Sequence, residues 1–338
     1  MLARAFTSLL LAAFVGQVPA DLAARRSPPL GLDLYMPVPE DNPLTPEKVA
    51  LGRRIFFDGR LSRDRTIACA SCHDPQRAFT DARPVAVGIG RRLGTRNVPT
   101  LINRGYGKSQ FLDGRAQSLE QQALQPVQNP SEMNMTPPEL VRRLDSDRWY
   151  AARFSSAFGR TTHAEDVASA IASYVRSILD GDSPFDRHIN GEAGALSEQA
   201  RRGLHLFRGR ANCTACHIGP TFSDERFHNT GIAWREPSTG SGQVGRFQDE
   251  GRFAVSGQPA DHGAFKTPTL REIARTAPYM HDGSVTTLEE VVDFYDAGGR
   301  SNPAIDREIH PLHLSVEEKQ TLVAFLKSLS GRIREGQP

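Results

Sequence analysis

The sequence predicts a mainly α chain built from two related domains. Three observations carry this: recurrent helix-start signals, a weak internal repeat, and scarce strand-like alternation of apolar and polar residues. Thr45-Pro46-Glu47 opens a helix with a capping hydroxyl and a proline at the first helical position. Thr136-Pro137-Pro138-Glu139, Thr162-His163-Ala164-Glu165, Thr287-Leu288-Glu289-Glu290 and Ser315-Val316-Glu317-Glu318 read as capping boxes. Behind the Thr162 box, Val167, Ile171, Tyr174, Val175 and Ile178 recur at helical spacing and mark a core-facing stripe. The repeat pairs Leu51-Gly52-Arg53-Arg54-Ile55-Phe56 with Arg202-Gly203-Leu204-His205-Leu206-Phe207, each placing Gly four residues ahead of Phe. Between the halves, Asp180 to Ala195 is rich in Gly, Asp and Pro and reads as a linker. Pro237 to Gly263, rich in Gly, Ser and Gln, reads as a mobile loop.

Each repeat runs into a Cys-x-x-Cys-His motif: Cys69-Ala70-Ser71-Cys72-His73 and Cys213-Thr214-Ala215-Cys216-His217. Together they use all four cysteines of the chain. Such a motif offers two thiols for thioether bonds to a haem and an adjacent imidazole as iron ligand, the attachment pattern of c-type haem. Zinc knuckles would need further Cys or His at knuckle spacing, and redox disulfides would not need His73 and His217. The fold class is therefore mainly α with two cytochrome c-like domains, residues 21–185 and 186–338, each with one covalent haem.

Met1 to Ala20 has one early arginine, a short apolar run and small residues at Val18 and Ala20. It reads as a signal peptide cut after Ala20. The run falls short of the roughly 20 residues needed to cross a bilayer, so a membrane anchor is disfavoured. Export agrees with haem attachment outside the cytoplasm and predicts a periplasmic protein with no membrane span. A net charge of +2 gives no reason to expect nucleic acid. Scattered arginines such as Arg201, Arg202, Arg208 and Arg210 read as solvated surface or partners of haem propionates.

An electron carrier keeps its haem iron six-coordinate, whereas an enzyme must leave one iron open. No histidine lies between His73 and His163, and Met133 and Met135 stand in the polar run Asn129-Pro130-Ser131-Glu132-Met133-Asn134-Met135. An open first haem, ligated by His73 alone, is expected; a distant ligand folding over it is the alternative.

The run Gln110-Phe111-Leu112-Asp113-Gly114-Arg115-Ala116, then Leu119-Glu120-Gln121-Gln122-Ala123, Pro126 and Asn129 to Met133, resembles the bacterial di-haem cytochrome c peroxidase family, which includes the MauG-type proteins. Phe265-Lys266-Thr267-Pro268-Thr269-Leu270-Arg271 and Thr276-Ala277-Pro278-Tyr279-Met280-His281-Asp282-Gly283 extend the likeness over nearly the whole chain after Ala20. The resemblance implies that hydrogen peroxide is reduced to water at the first haem, the peroxidatic one. Electrons arrive through the second from a small periplasmic cytochrome c or cupredoxin. It matches Gln122, Pro126 and Glu132 to the family's peroxide pocket. Cleaving the O–O bond needs a base that takes a proton from the inner oxygen and returns it to the outer one, which suits a carboxylate such as Glu132. A loop-capping role for Glu132, and a plain surface amide for Gln122, are the alternatives.

The resemblance also implies a calcium ion held by Asn97, Thr276 and Pro278, the last two through backbone carbonyls, oxygen donors of the kind calcium takes. Asn97 could equally cap a turn. Peroxidases that need reductive activation carry a histidine in a Gly-His-Gly loop after the first haem; here the region reads Val87-Gly88-Ile89-Gly90-Arg91-Arg92. Activity without prior reduction, as in MauG-type proteins, is implied. On the far side of the second haem, peroxidases place methionine and MauG-type proteins tyrosine; Tyr295 stands there, with Met280 and then His281 as alternatives. A phenolate favours higher oxidation states of iron, whereas methionine raises the potential. Leu112 occupies a place where relatives usually carry a tryptophan that relays electrons between the haems. Three functions compete: a peroxidase, a MauG-like oxidant of side chains on a partner protein, and a pure electron carrier, which the Gln122/Glu132 pair argues against.

Overall fold

In the computed structural model, residues 28–237 and 244–336 are described. The expected signal peptide and the tip of the Pro237–Gly263 loop, residues 238–243, lie outside them. The described chain is mostly helical, with three two-stranded pairs. The helices longer than one turn are α1 (Pro46–Phe56), α2 (Leu119–Gln128), α3 (Pro137–Asp145), α4 (Arg148–Phe158), α5 (Ala164–Arg176), α6 (Pro184–Ile189), α7 (Glu198–Arg208), α8 (Leu288–Asp296) and α9 (Val316–Lys327).

The sequence repeat is a structural repeat. Helix α1 crosses α5 where a Cβ on Gly52 would stand 1.8 Å from the Ala170 carbonyl oxygen. Helix α7 crosses α9 where a Cβ on Gly203 would stand 1.9 Å from the Thr321 carbonyl oxygen. Four residues on in every helix comes an aromatic ring, and these rings meet: Phe56 with Tyr174 at 5.0 Å between centroids, Phe207 with Phe325 at 4.9 Å. Each crossing therefore needs one glycine for backbone approach and one aromatic pair to fill the space beside it. One core gathers residues from Leu51 to Val175, including the stripe positions Val167, Ile171 and Val175; another gathers residues from Leu196 to Leu329.

The capping boxes at Thr287 and Ser315 form as read. Those at Thr136 and Thr162 do not. Glu139 is drawn to Arg143 at 2.8 Å rather than back to the cap. His163 takes the cap of α5, and the Thr162 hydroxyl is buried without a partner. Of the stretch expected to be a linker, residues 180–189 are built structure, and residues 190–195 form a mostly exposed turn. Leu179–Gly181 pairs antiparallel with Arg332–Arg334, Asp180 is fully buried, and Ser183 and Asp186 cap α6 reciprocally. Residues 185 and 186 both lie inside α6, and buried Asp186 pairs with buried Arg271. Two buried partners leave no slack at this point of the chain. The described flanks of the Pro237–Gly263 loop are likewise ordered: Trp234–Arg235 pairs with Arg246–Phe247, and His262 stacks on Phe253 at 3.5 Å.

Gly52→Ala and Gly203→Ala should each lower stability by about 2–3 kcal/mol or prevent folding, since a methyl would strike backbone at the crossing. Gly194→Ala, where nothing lies within 4 Å, should be neutral. Urea unfolding midpoints of the three variants check this.

Candidate functional site: two CxxCH loops and their facing side chains

Both Cys-x-x-Cys-His motifs wind into a single tight turn, over Cys69–Cys72 and Cys213–Ala215. The amide of His73 donates to the Cys69 carbonyl, and that of His217 to the Cys213 carbonyl, each at 2.9 Å. The Nδ1 of His73 lies 3.1 Å from the Phe79 carbonyl, and the Nδ1 of His217 lies 2.9 Å from the Phe222 carbonyl. A carbonyl can only accept, so the proton sits on Nδ1 and the Nε2 lone pair is left for a metal. Phe79 and Phe222 both adopt left-handed backbone, at φ 59° and 53°. That conformation costs about 1–3 kcal/mol in a non-glycine residue and is kept where it aims a functional group. Burial holds His73 down to about 4 and His217 below the usual imidazole range, so both rings are neutral, the form that ligates iron. The four cysteines are free, and burial pushes the Cys69 and Cys213 thiols up to about 12. Donor set, tautomer and burial all fit a covalently attached haem at each loop.

A cavity of about 360 Å³ is lined by Phe111, Arg115, Gln125, Pro126, Gln128, Asn129 and Glu132. Glu132 is near enough for its charge to raise both the Cys69 and the Cys72 thiol. Burial raises the Glu132 carboxyl above the ordinary range, against a hydrogen bond from Asn129 and the Arg115 charge, which pull it down. Pro126 and Glu132 thus meet at one cavity. Gln122 does not line it, and Gln125 does. The loop Val87–Arg92 closes over the same turn: the Ile89 amide donates to the Glu132 carbonyl at 2.7 Å. Met133 and Met135, expected in polar surroundings, are buried in the first core, where they pack with Leu51, Val127 and Leu140. Asn129 and Glu132 of that run turn to the cavity while its methionines turn into the core.

At the second loop, α8 carries Leu288 and Val292 into the core, and Tyr295 on the same face is set beside Cys216 and Cys213. Burial first, then those two neighbours, raise its phenol above the ordinary range. Met280 packs against the second core, and His281 stacks on Phe265 at 3.8 Å. Beyond the His217 ring, a second cavity of about 380 Å³ opens between Phe185, Leu204, Phe207 and Phe222. The Asn97 amide group donates to the Arg83 carbonyl at 2.7 Å, and its backbone N–H to the His281 carbonyl at 2.7 Å. Asn97 Oδ1 makes no hydrogen bond among the described residues, while the Thr276 hydroxyl turns to the Ile273 carbonyl.

Between the loops lie pairs that sequence reading did not find. Arg96 bridges Asp113 at 2.6 Å and Asp249 at 2.7 Å, and Arg104 pairs with Glu225 at 2.7 Å. The Lys266 amide donates to the Leu112 carbonyl at 2.8 Å, and burial pulls its amine down to about 7. Asn129 and Arg115 stood in the runs already quoted; an Asn three residues before Glu132, in an Asn-Pro turn, was the available signal.

Duplicated, buried CxxCH loops, one facing a carboxylate and the other a phenol, define a redox protein with two unlike sites. The sequence profile of the di-haem cytochrome c peroxidases matches residues 46–194. The chain is 41% identical over 296 residues to the methylamine utilization protein MauG of Methylorubrum extorquens, covering 87% of this chain and 81% of that protein. It is 34% identical over 308 residues to the cytochrome c551 peroxidase of Pseudomonas aeruginosa, covering 88% and 85%. A solved MauG-like protein associated with microbial copper homeostasis superposes with TM-score 0.80 at 36% identity, covering 89% of this chain and 95% of that one. The chain belongs to the di-haem cytochrome c peroxidase family, and it is an oxidoreductase.

Proposed function

We propose that the protein is a periplasmic di-haem peroxidase that reduces hydrogen peroxide at its first site and takes in electrons at its second. The observation that carries this reading is the asymmetry of the far sides: a carboxylate at a polar cavity beside Cys69 and Cys72, a phenol beside Cys213 and Cys216. The overall reaction consumes two electrons and two protons for each peroxide and yields two waters. Haem iron, when bound through Cys69, Cys72 and His73 or through Cys213, Cys216 and His217, supplies the electrons. The protein supplies the rest. Glu132 takes a proton from one peroxide oxygen and delivers it to the other, which leaves as water. Pro126 keeps the cavity narrow, the adjacent Gln125 offers an amide there, and Gln122 stands one helical turn before Pro126. Residues 21–185 form the peroxidatic domain and 186–338 the electron-transfer domain, after removal of a signal peptide at Ala20. Asn97 Oδ1 with the Thr276 and Pro278 carbonyls holds a calcium ion. A small periplasmic cytochrome c or cupredoxin is the donor.

A second reading is a MauG-like oxidant of side chains on a partner protein. Tyr295 at the second site and Ile89, rather than histidine, in the loop over Glu132 favour it. Steady-state peroxide reduction with a reduced small cytochrome separates the two: rapid turnover supports the peroxidase, and its absence supports the protein oxidant.

Electron paramagnetic resonance of the diferric protein should show one high-spin and one low-spin haem. Tyr295→Phe should alter the low-spin signal with haem content kept at two; loss of that signal in Met280→Ala instead would move the assignment to Met280. Glu132→Gln should keep peroxide binding but slow O–O cleavage by a factor on the order of 10² to 10⁴ in stopped flow. Because burial raises the Glu132 carboxyl, its base form is lost as pH falls through that raised value. The acid limb of the wild-type rate should therefore lie above the ordinary glutamate range and vanish in the variant. Leucine has no accessible oxidised state, so Leu112→Trp should speed electron equilibration between the haems after peroxide mixing; unchanged traces would exclude a relay role for this position.

A further inference from the structure

We propose that Asn129 and Arg115 are the positioning residues of the first site: together they fix where the Glu132 carboxyl stands and at what pH it exchanges its proton. This rests on the reading of Glu132 as the proton carrier.

Asn129 Nδ2 donates to Glu132 Oε1 at 2.7 Å. The same side chain accepts from the Ser131 amide through Oδ1 at 2.9 Å, so its amide orientation is set by the turn it caps. Backbone bonds tighten that turn, with the Glu132 amide donating to the Asn129 carbonyl at 3.0 Å and the Asn134 amide to the same carbonyl at 2.9 Å. One carboxyl oxygen is thereby tethered. The other, Oε2, makes no hydrogen bond among the described residues, in a side chain that lines the cavity. A proton carrier needs this division: one oxygen held so that the group cannot swing away, one left for the substrate.

Arg115 works by charge. Its guanidinium lies over the Phe111 ring at 3.4 Å and is tied down by Asp113 at 2.8 Å and Gln125 at 3.3 Å. It makes no direct bond to Glu132, yet its charge pulls that carboxyl down against burial. A planar cation stacked on a ring and forked between two acceptors keeps its distance to a neighbour better than a flexible amine would. Asp113 is shared with Arg96, which reaches Asp249 of the other half. The cation that tunes Glu132 is thus anchored to the contact between the two halves.

Three variants test the two roles. Asn129→Asp keeps the acceptor for the Ser131 amide and the shape of the turn, but sets an anion beside Glu132. Arg115→Gln removes the charge, and Arg115→Lys restores it without the stack. In the haem-loaded protein, both Asn129→Asp and Arg115→Gln should move the acid limb of the peroxide-reduction profile to higher pH, with a loss on the order of tenfold in kcat at neutral pH. Arg115→Lys should recover part of the shift. The infrared carboxyl band that disappears in Glu132→Gln should titrate at correspondingly higher pH in both variants, a readout independent of turnover. Haem content of two in every variant controls for folding. If Glu132→Gln itself leaves the profile unchanged, the reading of Glu132 fails. If Glu132→Gln removes the limb while Asn129→Asp and Arg115→Gln leave it and the infrared band in place, the positioning roles fail alone.

Discussion

The structure depends on two places where helix backbones come within van der Waals contact. At Gly52 against Ala170, and again at Gly203 against Thr321, there is no room for a side chain. Close approach lets the aromatic pairs Phe56/Tyr174 and Phe207/Phe325 mesh beside the crossing. Each crossing fixes one helix that runs toward a CxxCH turn: α1 ends 13 positions before Cys69, and α7 ends five before Cys213. A core packed near crystalline density transmits such a constraint with little give. The carbonyls of Phe79 and Phe222 then complete the orientation of the two histidines, and the strain of their left-handed backbone is borne by the packing around them.

Ion pairs join the two halves of the chain. Arg96 holds one carboxylate from each half, Arg104 reaches Glu225, and the Lys266 amine is buried beside that pair. Removing one partner of such a pair would leave a poorly solvated charge, which costs far more than the pair itself contributes. These pairs therefore resist separation of the two halves. The backbone contact from Lys266 to Leu112 also joins the halves, so residue 112 is held in place through its carbonyl whatever its side chain.

Much of this was legible in the sequence where the signal was local. The Gly–Phe repeat, the caps at Thr45, Thr287 and Ser315 and the stripe from Val167 to Ile178 all depend on residues within a few positions of one another. Failures came where a distant partner decided the outcome. Glu139 left its capping box for Arg143, which also donates to the carbonyls of Arg60, Ser62 and Arg63. Asp180 to Ala195 looked like a linker by composition, but the terminal strand Arg332–Arg334 and Arg271 hold its first part, Asp180 to Asp186, in place. Met133 and Met135 looked exposed because their neighbours are polar, yet a tight turn can send alternate side chains to opposite sides. The pairing of Asn129 with Glu132 was within reach; that of Arg115 with the same cavity needed the fold.

The two sites grow from one unit and differ in what the connections bring to their open faces. Helices α1 and α5 repeat as α7 and α9, and the histidine tethers repeat almost bond for bond. What does not repeat is the α2-to-α3 connection, which delivers Asn129 and Glu132, and helix α8, which delivers Tyr295. A shared frame fixes the iron-facing histidines, so divergence of function is left to segments the frame does not constrain. Beside the first loop stands a carboxyl that burial raises above the ordinary range. Beside the second loop stands a phenol, likewise raised by burial. One fold thus sets unlike side chains beside two like loops.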